Sequence, residues 1–152
     1  MTENELATII VDSAFKVHTT LGPGLLETVY QAALAYELEK RGLHVARERG
    51  IPATYEEVKL ELGFRADLIV ESKVIIEIKS IDVLAPVHSK ILLTYLRLTD
   101  LRLGILINFN VALIKDGIRR VVKQFMRGFT KICEERSEIQ NRFILCVLRG
   151  SA

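Results

Sequence analysis

Apolar residues recur at intervals of three and four from Glu5 onward, at Leu6, Ile9, Ile10, Ala14, Val17 and Leu21. That spacing predicts one stripe of an amphipathic helix ending near Thr20. Gly22-Pro23-Gly24 interrupts it, because Pro disfavours an α conformation at the residue before it and Gly opens turns closed to other residues. A second helix is expected to follow, with Leu25, Leu26, Val29, Ala32, Ala33, Tyr36 and Leu38 as its buried side. Arg41-Gly42 suits a basic last turn with a glycine cap.

Between His44 and Ser80 the period shortens to two, or to brief apolar runs rich in β-branched residues, which predicts strands over His44 to Tyr55, Leu60 to Val70 and Val74 to Ile78. Helical spacing returns over Pro86 to Thr99, and Leu103 to Phe109 is a short apolar run suited to a buried strand. Val111 to Ile114 and Ile118 to Val122 flank Lys115-Asp116-Gly117, a sequence suited to a hairpin turn. The expected order is therefore ααβββαβββ, an α/β or α+β sandwich in one domain. After Val122 the pattern is again helical, and Phe125, Ile132, Ile139 and Cys146 fall seven apart, so a helix over 123–152 is expected either to pack on its own domain or to pair two copies into a homodimer.

With 152 residues, 49% apolar and 26% charged, the chain can build one core without disulfides or structural metals. Its apolar runs fall far short of the roughly 20 residues that span a bilayer, so no membrane association is expected. The acidic start Met1-Thr-Glu-Asn-Glu5 lacks the pattern of a secretory signal, and a cytoplasmic location is the expectation. Cys133 and Cys146 have neither a second pair nor a nearby His and are read as packing residues. Net charge hides an asymmetry: residues 1–118 carry 13 Lys and Arg against 16 Asp and Glu, while 119–152 carry 8 against 3. A basic tail of this kind suits either a nucleic-acid footprint or a solvated helix face.

Chemistry concentrates in Asp67-Leu-Ile-Val-Glu-Ser-Lys-Val-Ile-Ile-Glu77-Ile-Lys79, where charges stand inside otherwise apolar strands. Residues two apart on a strand share a face, so Glu77 and Lys79 project together, opposite Ile76 and Ile78. Register decides whether Asp67 joins them: a two-residue Ser72-Lys73 turn sets it against Ile78, whereas an odd-length turn or a bulge brings it to Glu77 or Lys79. The latter is expected. Two converging carboxylates repel unless a cation lies between them, and oxygen donors without sulfur or His favour Mg²⁺ or Mn²⁺ over Zn²⁺. A lysine beside such an ion suits phosphate chemistry, by acting on the attacking water or by neutralising developing charge. The plain alternative is a half-exposed Glu77–Lys79 ion pair, with Asp67 as a strand-end cap.

Asp67 with Glu77-Ile78-Lys79, after a helix and before Pro86 to Thr99, resembles the PD-(D/E)XK nuclease superfamily. Gly24-Leu-Leu-Glu27-Thr-Val-Tyr30 is similar to the signature of its GxxExxY family, and Phe15-Lys-Val-His18, Leu21 to Gly24, Val87-His88, Leu92 to Leu96 and Leu103 to Phe109 extend the likeness over about residues 4–122. The resemblance implies an α/β, restriction-endonuclease-like core over 1–122, with a mixed central sheet flanked by helices and an extra C-terminal helix over 123–152. It also implies a divalent-metal-dependent nuclease acting on nucleic acid, with DNA the expected substrate. Glu27, Asp67 and Glu77 would hold the metal and Lys79 would be the catalytic lysine. Glu27 lies in the first turn of its helix, where a carboxylate is favoured. Tyr30, three residues on, is a candidate substrate contact, as are His88, Lys90 and Tyr95. Part of the superfamily carries Gln-x-x-x-Tyr on the helix after the Glu-x-Lys strand, whereas this chain has Ile91 and Tyr95, with Lys90 as a substitute phosphate contact. His18 is read as a helix-end hydrogen-bonding group and His44 as a loop residue. Gly22-Pro23-Gly24 lacks the Gly-Lys-Ser/Thr of a nucleotide P-loop. The rival reading is a catalytically silent nucleic-acid-binding or protein-interaction module on the same fold.

Overall fold

The computed structural model describes residues 1–55 and 58–123, and the expected C-terminal helix, its heptad, the dimer it would form and both cysteines lie outside the described residues. Helices α1 (Glu3–Leu21) and α2 (Glu27–Lys40) precede strands β1 (Val45–Tyr55), β2 (Val58–Val70) and β3 (Val74–Lys79). Helix α3 (Pro86–Thr99), strand β4 (Leu103–Asn108), the short helix α4 (Ile114–Gly117) and strand β5 (Ile118–Val122) follow. The five strands form one mixed sheet in the order β1-β2-β3-β4-β5, in which β3 and β4 are parallel and every other pair is antiparallel.

Strand alternation divides the core. Leu68, Val70, Val74, Ile76, Ile78, Leu103, Ile105 and Ile107 face α1 and α2, while Ile69, Ile75, Leu106 and Val121 face α3. Glu77 and Lys79 take the α3 side by the same alternation, and there the apolar face gives way to charge at the C-terminal end of β3. Thr2 and Glu5 close a capping box on α1, and the Ala85 N–H donates to Nδ1 of His88 at 3.0 Å at the start of α3. Among the described residues, no helix is long and apolar enough to cross a membrane.

Two expectations are corrected. The segment Val111 to Ile114 is not a strand, and Lys115-Asp116-Gly117 is not a hairpin turn: Ile114 to Gly117 wind into α4, and β5 takes the place beside β4. On α2 the core stripe is Tyr30, Leu34, Ala35 and Leu38, whereas Leu26 is 74% and Tyr36 63% exposed, and Leu25 and Val29 also face solvent. Helix α2 is apolar on more than one side, so periodicity by itself does not select the side that meets the sheet. Tyr30 decides it by stacking on Phe109 at the end of β4, centroid to centroid 4.5 Å.

Gly117 sits where any side chain would collide, since a Cβ there would lie 2.2 Å from the Asn108 carbonyl oxygen. Replacing Gly117 with Ala is expected to cost about 1–3 kcal/mol, the range for overpacking a close contact. Urea unfolding should show a lower midpoint at unchanged slope.

Candidate active site

Three residues, Glu71 to Lys73, separate the paired Val70 and Val74, and Glu71 and Ser72 both adopt left-handed backbone. The odd-length turn sets Leu68 against Ile76, so the same register aligns Asp67 with Glu77, as expected from the sequence. Pairing between β2 and β3 stops at Leu68 and Ile76. Beyond it the Asp67 side chain replaces the ladder, and its Oδ2 accepts the Ile78 N–H at 2.7 Å. Gln31 Nε2 on α2 donates to the Asp67 carbonyl at 3.0 Å and holds the split from the other face.

Glu77 is 6% exposed. Its Oε1 accepts from Lys79 Nζ at 2.8 Å, while its Oε2 is buried with no hydrogen-bond partner among the described residues. Burial, followed by the charge of Asp67, pushes the Glu77 carboxyl above the usual range despite the lysine. Burial also leads for Asp67, which is raised although Ile78 N–H and Lys79 oppose the shift and Glu27 assists it. For Lys79 burial favours the neutral amine, but the hydrogen bond and charge of Glu77, with Glu27 and Asp67 behind it, outweigh burial and raise its pKa.

The structure brings Asp67, Glu77 and Lys79 together and sets Glu27 at their margin. Glu27 Oε1 accepts the Ser80 N–H at 3.2 Å, and Ser80 Oγ donates to the Leu25 carbonyl at 2.6 Å, so α2 is tied to the residue directly after Lys79. Among the described residues no three His, Cys, Asp or Glu side chains are spaced to hold one ion. Glu27 thus anchors the strand end through Oε1, at the margin of the Asp67–Glu77 pair. The buried, unpartnered Glu77 Oε2 and the repulsion between these two acids fit a small divalent cation, and Mg²⁺ commonly binds through only one or two carboxylates.

The four expected substrate contacts separate. Tyr30 is fully buried, donates to the Gly22 carbonyl at 2.6 Å and accepts the Leu25 N–H at 3.1 Å, so it braces the loop that delivers Glu27. His88 uses Nδ1 to cap α3, and Lys90 is exposed on the same helix. Tyr95 is close enough to the carboxylates to sense them: burial first, then the charge of Glu77, raises its pKa, and its ring lies 5.5 Å from that of Phe64. His18 Nε2 lies 2.8 Å from the Val111 carbonyl oxygen and ties α1 to the loop after β4, in line with its helix-end reading. Asn108 was missed: it is 1% exposed and holds Ile81 through both ends of its amide. The signal was available, since an amide ending the apolar run Leu103 to Ile107 is as anomalous as the charges in β3.

The fold and this cluster define a class of α/β domain in which two carboxylates and a lysine meet where two strands part. The family model of the PD-(D/E)XK nuclease superfamily matches residues 4–121, and the chain belongs to that superfamily. Comparisons with curated proteins and with solved structures find no match.

The raised Glu77 and Asp67 carboxyls bind more protons in the folded than in the unfolded chain over the interval between the two pKa values, so stability falls as pH rises through it. In EDTA at pH 7.5, Glu77→Gln is expected to melt higher than the parent by roughly 2–4 °C, the size of a change of about 1 kcal/mol in a chain of this length. Thermal scans should show that gap closing on acidification through the carboxylate range. Tyr30→Phe leaves the Gly22 carbonyl and Leu25 N–H without their partner and is expected to lose about 1–2 kcal/mol in urea titration.

Proposed function

We propose that the protein is a divalent-metal-dependent nuclease that hydrolyses phosphodiester bonds, with Asp67 and Glu77 as the ligands and Lys79 as the catalytic lysine. The carrying observation is the buried Glu77 Oε2, without a partner among the described residues and beside a second carboxylate, while Oε1 of the same side chain accepts from Lys79 Nζ at 2.8 Å. Mg²⁺ or Mn²⁺ bound there would supply Lewis acidity to a non-bridging phosphate oxygen. Asp67 is oriented for this by the Ile78 N–H, which takes one carboxylate oxygen and leaves the other. Lys79 keeps donors beyond the one given to Glu77 and offers them to the charge that grows on the phosphoryl oxygens. In the reaction the water oxygen bonds to phosphorus, one bridging P–O bond breaks, and the proton lost by water passes through solvent to the departing sugar oxygen. Glu27 holds the strand end and adds negative potential at the margin of the site.

DNA is the proposed substrate. The Gly24-x-x-Glu27-x-x-Tyr30 motif supports placement in the GxxExxY family, and the geometry gives its two named residues a shared task, since Tyr30 fixes the loop and Glu27 fixes Ser80.

Purified full-length protein should cleave end-labelled DNA in Mg²⁺ or Mn²⁺ and not in EDTA. Lys79→Ala and Glu77→Ala are each expected to lower turnover by about 100-fold or more, the size that removal of a group stabilising transition-state charge has elsewhere. Full cleavage by both variants would assign the activity to a contaminant. Metal-independent binding that weakens with salt, without cleavage in any lane, would assign the chain to a silent binding module.

A further inference from the structure

We propose that Asn108 is a positioning residue for this site, one that holds the chain beyond β3 so that Lys79 and Glu27 keep their relative places; the proposal rests on the nuclease reading only for its kinetic arm. In the parallel pair of β3 and β4, Lys79 is opposite Asn108, and the Phe109 N–H donates to the Lys79 carbonyl at 2.8 Å. The ladder ends there, and the chain bends over residues 81–83. Asn108 then continues the pairing with its side chain: Nδ2 donates to the Ile81 carbonyl at 2.7 Å and Oδ1 accepts the Ile81 N–H at 3.1 Å. Oδ1 also accepts the Asn110 N–H at 3.2 Å.

This amide-to-peptide pairing has a consequence one residue upstream. With Lys79 held by Phe109 and Ile81 held by Asn108, the intervening Ser80 peptide has a single place, with its N–H toward Glu27 Oε1 and its hydroxyl toward the Leu25 carbonyl. Helix α2 is thereby registered against the end of β3. Only an amide of this length satisfies both halves of the Ile81 peptide, because a carboxylate lacks the donor and an aliphatic side chain lacks both groups. Asn108 is itself closely packed: it is 1% exposed, and its carbonyl lies against Gly117, where no side chain intervenes. A side chain so buried and so fully used, aimed at the segment between the catalytic lysine and α3, acts on catalysis through Ser80 and Ile81 and not by touching substrate.

The test uses full-length Asn108→Ala and Asn108→Ser, with Asn110→Ala as a control that removes only the exposed Asn110–Asp82 contact. Residue-resolved amide exchange by NMR is expected to show Ser80 and Ile81 exchanging roughly tenfold faster in the Asn108 variants, with Ile76 and Ile105 as in the parent. Turnover should fall about tenfold to 100-fold at unchanged KM for DNA, the pattern of a misplaced catalytic group. Asn110→Ala should match the parent in both readouts. Unchanged exchange at Ser80 and Ile81, an acceleration spread evenly over Ile76 and Ile105, or a raised KM at constant kcat would each overturn the proposal. Asn108→Ser keeps the comparison available should the alanine variant not fold. If the parent does not cleave DNA, the nuclease reading falls by itself, and amide exchange still decides whether Asn108 positions Ser80.

Discussion

The hydrogen bond from the Ile78 N–H to Asp67 Oδ2 marks the point where β2 parts from β3 while staying paired with β1, and the site follows from that departure. A continuous ladder would cover the Ile78 amide with backbone and point the neighbouring carboxylate elsewhere. By parting from β3, strand β2 leaves the amide to be satisfied by a side chain, and that side chain is a carboxylate whose register position is opposite Glu77. Two acids are thus held beside each other on a sheet face that is otherwise apolar. Burial raises both of their pKa values, helped by the charge of Asp67 at Glu77 and by that of Glu27 at Asp67, and a single lysine compensates only in part. The unpartnered Glu77 Oε2 is the residue of that imbalance.

Holding such a pair requires a stiff frame, and polar groups at the ends of elements supply it. Tyr30 is packed on Phe109 and bonded to both sides of the Gly22–Leu25 loop, so the start of α2 cannot drift. Gln31 reaches the Asp67 carbonyl from the same helix, and Glu27 reaches Ser80. Each of these bonds joins an element of one layer to the strand end of another. Local unfolding of the site therefore has to break several of them together, which is a different mode of resistance from the apolar packing under α1 and α3.

Helix α2 shows what this arrangement asks of one element. It packs with Tyr30, Leu34 and Leu38, delivers Glu27 and Gln31 to the site, and leaves Leu25, Leu26, Val29 and Tyr36 in solvent. Apolar periodicity assigned the second set to the core because hydrophobicity alone does not distinguish two apolar faces of one helix. The direction was settled by a ring-on-ring contact with Phe109, a residue 79 positions further along the chain.

From the sequence alone, strand alternation placed Glu77 and Lys79 on one face opposite Ile76 and Ile78, the odd turn was expected to bring Asp67 to them, and the helices α1 and α3 were readable from their apolar spacing. Those features depend on periods of two and 3.6 and on residues a few positions apart, which is information a linear chain carries. The duties of Glu27, Tyr30 and Asn108 were decided only by tertiary structure. Glu27 carried the expectation of a metal ligand and its hydrogen bond from the Ser80 amide was not foreseen, nor was the bond of Tyr30 across the Gly22–Leu25 loop, and Asn108 stood within an apolar strand with no assigned task. The physical reason is common to all three: a hydrogen bond is fixed by the position of its partner, and these partners arrive from distant segments only after the sheet and its helices have packed.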